Sequence, residues 1–361
     1  MYKSLQAGRA FAAILVVLFH LGLTIAKKKY FGIAAFSIPF SFGTSGVEFF
    51  FVLSGFIILT AHQHDIFKPD KLANYISKRL IRIYPTYWII FLSVFLLAIV
   101  STALRNKVPH DPYILVKSLL LIPQDKDIVG GTGAPVLDVA WTLQYEMFFY
   151  IFFICLILSR WLSVIVGLSL LYVYIIYSGS LSLSFPLSFI SQDYILLFGM
   201  GMAVSITCSS RTLIVDSPGF FAGFGAVIIL VAALDTVLKT NILSEHRTII
   251  YGLASCLIIF GLVKLEDKGR IIGGYKWIQI LGDSSYALYL LHVPLISVLC
   301  KLSTLIQLNK LEITGAVIAY FLIFGACLIC SVAFHIWIEE PVTRYLRNCG
   351  LNRKFVTQQN A

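Results

Sequence analysis

The sequence predicts an all-α polytopic membrane protein of about ten transmembrane helices with no sizeable soluble domain. Three observations predict it. Of 361 residues, 58% are hydrophobic and only 13% charged, whereas a soluble domain carries roughly a quarter charged residues. Mean hydropathy is +0.87. The apolar residues are also gathered into runs of about 20, the length that crosses a bilayer as a helix. Together these exclude a soluble enzyme, a disordered regulator and a nucleic-acid-binding domain with a dispersed basic surface. The polar connections are too short to fold on their own.

The apolar runs fall near 6–26, 40–61, 84–104, 140–158, 161–177, 190–208, 218–238, 248–264, 281–300 and 313–337. Residues 10–19 imitate a signal-peptide core. No small-residue cleavage site follows and further spans do, so the run reads as the first transmembrane helix. Pro85 suits the start of the third span, and Pro341 marks the end of the tenth. Tyr113–Ile122 is too short to span and carries Lys117, which suggests an interfacial helix. The longest polar connections are 62–83 and 105–139; a solvated pair is the default reading for His62 and His64 in the first. Seven cysteines lie mostly inside apolar runs and form no disulfide framework. The Cys327-x-x-Cys330 pair sits in a hydrophobic helix and reads as two small packing residues.

The net charge of +10, from 28 Lys+Arg against 18 Asp+Glu, belongs to topology. Basic residues gather in cytoplasmic loops. An N-terminus inside places Lys3, Arg9, the 62–83 connection, Arg160, Arg211, the 264–276 connection and the C-terminal basic residues there. The Lys27-Lys28-Lys29 run falls on the other side. An even number of spans puts both termini in the cytoplasm. Residues 1–345 then form the membrane domain and 346–361 a short cytoplasmic tail.

Ionisable side chains within a span are expensive and point to function. The first span carries Arg9 and His20. Eleven residues at about 100° each make three turns plus about 20°, so both lie on one face about 16 Å apart along the axis. A lone membrane histidine also serves as hydrogen-bonded packing, and a terminal arginine also snorkels. The second span opens with Gly46-Val-Glu48 and continues to Ser54-Gly55, small residues that allow close helix approach. The fourth carries Trp141-Thr-Leu-Gln-Tyr-Glu146-Met-Phe-Phe-Tyr150. On this topology His20, Glu48 and Glu146 converge on the outer half of the bilayer and suggest a polar cavity, although either carboxylate also fits as a structural partner.

On the cytoplasmic side, Lys78-Arg79-Leu-Ile-Arg82-Ile-Tyr84-Pro85 runs into the third span. Arg79 and Arg82 share a helix face, and guanidinium forks suit phosphates; an ordinary positive-inside cluster is the rival reading. The ninth span begins Gly282-Asp283-Ser-Ser-Tyr286 and carries His292 deeper. The tenth ends at His335-Ile-Trp-Ile-Glu339-Glu340-Pro341. No HExxH, Cys/His cluster, Walker loop or GxSxG elbow occurs, so metal, nucleotide and serine-hydrolase chemistry have no support in the sequence.

The ordered set resembles the acyltransferase 3 family, membrane enzymes that acylate polysaccharides and other glycans of the bacterial surface. The matching pieces are Arg9-x10-His20, Phe50-Phe-Val-Leu-Ser-Gly-Phe56, Arg79-x-x-Arg82-Ile-Tyr84-Pro85, Trp141-Thr-Leu-x-x-Glu146-x-x-Phe149-Tyr150, Ser285-Tyr286-x-Leu-Tyr289-Leu-x-His292 and Glu340-Pro341. They extend over nearly the whole chain. In place of the family's Leu-Asp-Gly-Leu-Arg-like run stands Leu5-Gln6-Ala7-Gly8-Arg9, which lacks the acid. Some relatives carry a fused extracytoplasmic hydrolase-like domain; the bare membrane unit is the expectation here.

The resemblance implies acetyl-CoA as acyl donor from the cytoplasm, no metal, and a sugar hydroxyl as acceptor on a polysaccharide or lipid-linked glycan. It implies a bacterial cytoplasmic (inner) membrane location. His20 would act as general base or transient acyl carrier, with Glu146 or Glu48 orienting it. Arg9 would place the donor or stabilise the oxyanion. Arg79, Arg82, Arg9 and Tyr286 would hold the donor, while Trp141, Tyr150 and His292 would face the acceptor. A transporter or flippase of a glycan or lipid is the rival class.

Overall fold

In a computed structural model, described over residues 2–100, 108–177, 183–210 and 216–359, every regular element is a helix. Among the described residues ten segments are long and apolar enough to cross a membrane. Their helices are α1 (Lys3–Ile25), α2 (Ser45–His62), α3 (Leu72–Val100), α4 (Trp141–Leu158), α5 (Arg160–Tyr177), α6 (Tyr194–Ser209), α7 (Pro218–Val237), α8 (Arg247–Asp267), α9 (Ser285–Leu305) and α10 (Glu312–Phe334). The chain is a multi-pass membrane protein. Each expected span has its helix; the expected end of the third, at 104, and Arg211 lie outside the described residues. α5 exposes Trp161, Ile165, Leu168, Tyr172 and Ile175, a face that only lipid or another apolar surface tolerates.

The chain divides into two units, one comprising Met1–Ala61 and Asp193–Val332, the other His62–Gln192 and Ala333–Ala361. In the first, α1 packs on α9 and on the short helix Lys276–Asp283, while α7 and α8 pair along their length. Val17, Leu21, Ile25, Leu288, Ile296 and Ile323 belong to its core, with Cys300 and Cys327 among them. Cys327 therefore packs as expected of a small apolar residue.

α1 has no side-chain cap of its own. Its first amides are instead met by one carboxylate: Lys3 N and Ser4 N donate to Glu266 Oε1 and Oε2 at 2.8 and 2.7 Å. A negative group at a helix start satisfies orphan amides and opposes the dipole. Tyr2 Oη donates to Asp267 at 3.1 Å; burial, then Asp267, pushes that phenol up to about 12. Gln279 holds the Lys3 carbonyl at 3.0 Å. The helix carrying Arg9 and His20 is thus anchored at its start by α8 and the segment before α9.

The second apolar run does not begin as a helix at 40. Residues 34–37 form one 3-10 turn, 38–44 are turns, and α2 starts only at Ser45. This stretch runs along α1 at backbone distance: a Cβ on Gly22 would strike the Phe36 carbonyl, and one on Gly46 the Ala12 carbonyl. α2 therefore begins level with the middle of α1. Farther along, α2 crosses α6 where Gly55 meets the Phe198 carbonyl and Gly201 meets the Val52 carbonyl, again with no room for a Cβ. The close approach read from Ser54-Gly55 is realised at Gly55.

In the second unit, α3 starts at Leu72, twelve residues before the apolar stretch, with Pro85 inside it. The cause is that Lys78, Arg79 and Arg82 continue a helix that hydropathy alone does not register. Residues 112–119 form a short helix, capped at its start by Asp111, which accepts from Tyr113 N at 2.8 Å. Its C-terminal carbonyls are met by α3: Tyr87 Oη donates to Ser118 O at 2.7 Å, Trp88 Nε1 to Leu119 O at 2.9 Å and Tyr84 Oη to Leu120 O at 2.8 Å. Helix-end carbonyls need such donors.

Pro341 does not end the chain's last helix. His335–Glu339 forms a π turn, and α11 (Glu340–Gln359) follows, with Pro341 at its second position. Proline lacks an N–H and clashes with the carbonyl four residues back; the wider turn before it relieves both, and the first turn of a helix needs no such bond. His335 Nδ1 lies 2.8 Å from Glu339 Oε2 across that turn. The expected tail at 346–361 is thus helical as far as Gln359.

Candidate active site

α1 presents Arg9 and His20 on one face, and each is engaged. Arg9 Nη1 donates to Gln6 Oε1 at 2.9 Å, and Gln6 Nε2 donates to Asp283 Oδ1 at the end of the short helix Lys276–Asp283. Gly282 packs on the Gln6 carbonyl without room for a Cβ. Gln6 occupies the position where the family-like run has an acid. Its amide accepts from the guanidinium at one end and donates to a carboxylate at the other, so Asp283 supplies the negative charge at one remove.

His20 lies eleven residues on. Its Nδ1 is 3.0 Å from the Val16 carbonyl and 3.2 Å from Nε2 of His292 on α9. The two rings meet edge-on with centroids 4.9 Å apart. His292 is completely buried, and its Nδ1 lies 2.8 Å from the Tyr289 carbonyl and 3.2 Å from that of Leu288. Phe19, Phe50 and Tyr289 make the aromatic surround: Phe19 is 5.0 Å from His20, Tyr289 5.8 Å from His292, and Phe50 6.2 Å from Tyr289. Tyr286 stands in the first turn of α9.

Glu48 is buried in the first turn of α2, and its Oε2 has no hydrogen-bond partner among the described residues; Ser45 Oγ, one turn earlier, has none either. Gly46 abuts Ala12 and Val16, and Phe49 abuts Gly8. Glu48 therefore lies between the levels of Arg9 and His20, deeper than a helix beginning at 40 implies. An unsatisfied carboxylate oxygen inside a span is costly and marks a place where water or a hydroxyl-bearing ligand belongs.

The second unit holds the arginine pair. Arg79 is buried, its guanidinium 5.7 Å from the Tyr75 ring and 5.6 Å from the Tyr150 ring. Its Nε has no hydrogen-bond partner among the described residues. Tyr150 Oη donates to Glu146 Oε1 at 2.5 Å, and Tyr75 Oη donates to the Tyr150 carbonyl at 3.2 Å. Arg82 lies within electrostatic reach of the same Tyr150 hydroxyl. Glu146 and Tyr150 thus share one environment with the arginines, whose guanidinium forks suit a phosphate. Trp141 stands perpendicular to Tyr145 at 5.9 Å.

His62 departs from the solvated pair expected of it. It is 3% exposed, its Nδ1 lies 2.7 Å from Asp65 Oδ2, and its ring meets Tyr75 edge-on at 5.0 Å. His64 is exposed. Burial follows from its place at the last position of α2, with the chain turning back through Gln63–Asp65. The His-x-x-Asp spacing was the available signal.

A family model described as an acyltransferase domain matches residues 2–336. The chain is similar to the exopolysaccharide production protein ExoZ of Rhizobium meliloti (strain 1021), at 28% identity over 316 residues, covering 84% of this chain and 91% of ExoZ. No solved structure matches.

Proposed function

Since the chain belongs to the acyltransferase 3 family, we propose that it moves an acyl group, acetyl from acetyl-CoA, onto a sugar hydroxyl of a cell-surface polysaccharide or its lipid-linked precursor. ExoZ, by its name, serves exopolysaccharide production, which supports a glycan acceptor. The enzyme would lie in the bacterial cytoplasmic membrane with both termini inside, so that the donor arrives from the cytoplasm.

The observation that carries the reading is His20: an imidazole within a span, held through Nδ1 by a fully buried second ring, eleven residues from an arginine on the same helix face. In the proposed transfer, His20 Nε2 takes the proton of the acceptor hydroxyl while that oxygen attacks the thioester carbonyl. The C–S bond then breaks, and the proton passes from Nε2 to the leaving sulfur, giving an ester and free CoA thiol. Arg9, steadied by Gln6 and Asp283, opposes the charge that develops on the carbonyl oxygen. In the second unit, the reading gives Arg79 and Arg82 the donor's phosphates, which guanidinium forks bind well.

The test is acyl-ester content of the host's surface glycan with wild-type protein, a deletion, and stable, membrane-inserted His20→Ala. Loss of the ester in both mutants is the expected result. If deletion removes the ester and His20→Ala does not, acylation stands and the base lies elsewhere. Unchanged ester with reduced glycan export would replace the enzyme by a transporter.

A further inference from the structure

We infer that His292 is a positioning residue that fixes the tautomer of His20, its buried Nε2 accepting from His20 Nδ1–H so that the lone pair of the base sits on Nε2. The inference rests on the functional reading above and moves His292 from the acceptor contact first expected of it to the far side of the base.

The carbonyls around the two rings fix their tautomers. The neighbours of His292 Nδ1 are two main-chain carbonyls, Tyr289 O at 2.8 Å and Leu288 O at 3.2 Å. Carbonyls only accept, so Nδ1 carries a hydrogen. In the neutral ring Nε2 is then an acceptor. His20 Nδ1 faces that acceptor at 3.2 Å and another carbonyl, Val16 O, at 3.0 Å. Two acceptors require a hydrogen on His20 Nδ1, shared between them. A doubly protonated His292 would instead donate from Nε2, and His20 Nδ1 would have to accept there while still serving Val16 O, which a single nitrogen cannot do. The tautomers of both rings thus follow from three helix carbonyls. With Nδ1 protonated, the neutral His20 ring has its lone pair on Nε2.

The role matches that of the acid behind a catalytic histidine, which sets its tautomer and orientation and steadies the imidazolium without taking the proton. A neutral imidazole does the first two by geometry: His292 is completely buried and held through its own Nδ1. Through the transfer described above His292 gains and loses no proton. The acceptor's proton goes to His20 Nε2 and on to the thiolate, while the Nδ1–H bond to His292 persists.

Full-length protein in lipid nanodiscs carries the test, with His292→Leu removing the acceptor and His292→Gln offering a side-chain oxygen in place of Nε2. His292→Leu is expected to lower kcat about 100-fold or more, with KM for acetyl-CoA within about threefold of wild type. His292→Gln is expected to hold kcat within about tenfold. Equal losses in both variants overturn the inference. Long-range proton–nitrogen spectra of 15N-histidine-labelled wild type read the same assignment without turnover, and both rings should be protonated at Nδ1. A His20 protonated mainly at Nε2 overturns the inference even in a protein that acylates. The expected tautomers in a protein that transfers no acyl group would sink the functional reading and leave this one standing.

Discussion

The link from Asp283 through Gln6 to Arg9 predicts a charge swap. Gln6→Glu replaces the donating amide with a carboxylate facing the Asp283 carboxylate, where Gln6 Nε2 now donates. Two unit charges about 4 Å apart repel by about 4 kcal/mol near a protein surface and about 1 kcal/mol in water. Gln6 is buried and Asp283 exposed, so an intermediate cost of about 2 kcal/mol applies; relieved by displacing Arg9 from the developing oxyanion, it reads as a fall of about thirtyfold in rate. Asp283→Asn alone keeps an oxygen that can accept and loses only the charge, about 1 kcal/mol, or about fivefold. The double variant restores a donor opposite the introduced carboxylate and gives Arg9 a direct anionic partner. Its kcat/KM for acetyl transfer should therefore exceed that of Gln6→Glu about tenfold. The assay is transfer from acetyl-CoA by purified protein, with thermal melts to confirm equal folding. Gln6→Glu within about twofold of wild type, or no recovery on adding Asp283→Asn, would refute the bridge.

Two further outcomes follow from packing and capping. Gly201→Val should prevent accumulation of folded protein, because even a Cβ there meets the Val52 carbonyl, whereas Gly199→Ala, with nothing within 4 Å, should be neutral; fluorescence-detected size exclusion of the two side by side decides it. Glu266→Ala strips both acceptors from the start of α1 and should cost about 1–3 kcal/mol, read as a lower melting temperature, and Glu266→Gln should recover part of it; equal melting of wild type and Glu266→Ala would remove the clamp from the account.

The spans were legible because a bilayer imposes a length and an apolarity that can be read residue by residue. Where the helix and the apolar run differ, hydropathy misplaces the boundary. α3 begins with Tyr75, Lys78 and Arg79, which a hydropathy window discounts. At Pro341 a π turn removes the clash that normally ends a helix. The descent of 38–44 along α1 rests on glycines meeting main-chain carbonyls, a signal that exists only once the two segments are adjacent. At the site, Arg9 and His20 were readable from helical spacing alone. Their distant partners are not: Gln6, which holds Arg9, reaches Asp283 across 277 residues, and His20 meets His292 across 272. Sequence carries no distance at that range. His62 was local enough to find, since Asp65 follows at the spacing of one helical turn, yet a polar loop made solvation the easier reading.

Much of what resembles the family is scaffold rather than chemistry. Tyr84, at the end of the arginine motif, caps a carbonyl at a helix end; Gly55, in the second-span motif, allows one helix crossing; Tyr150, after Glu146, ties down that carboxylate. The two tyrosine hydroxyls are thus engaged within the fold. Glu48 Oε2 and Arg79 Nε are not: both are buried and lack a partner among the described residues, as do Arg247 Nε, the Tyr251 and Tyr320 hydroxyls and the hydroxyls of Ser41, Ser45, Ser285 and Ser331. A buried polar atom without a partner costs about 1–3 kcal/mol, more when charged. A fold that satisfies carbonyls with three aromatic side chains in a row has the means to satisfy these two as well. What each lacks matches what the proposed substrates bring, hydroxyl donors for the carboxylate and phosphate oxygens for the guanidinium. An unmet valence alone does not mark a binding residue, since buried serine and tyrosine hydroxyls share it; in the proposed reaction it is charge together with unmet valence that points to Glu48 and Arg79.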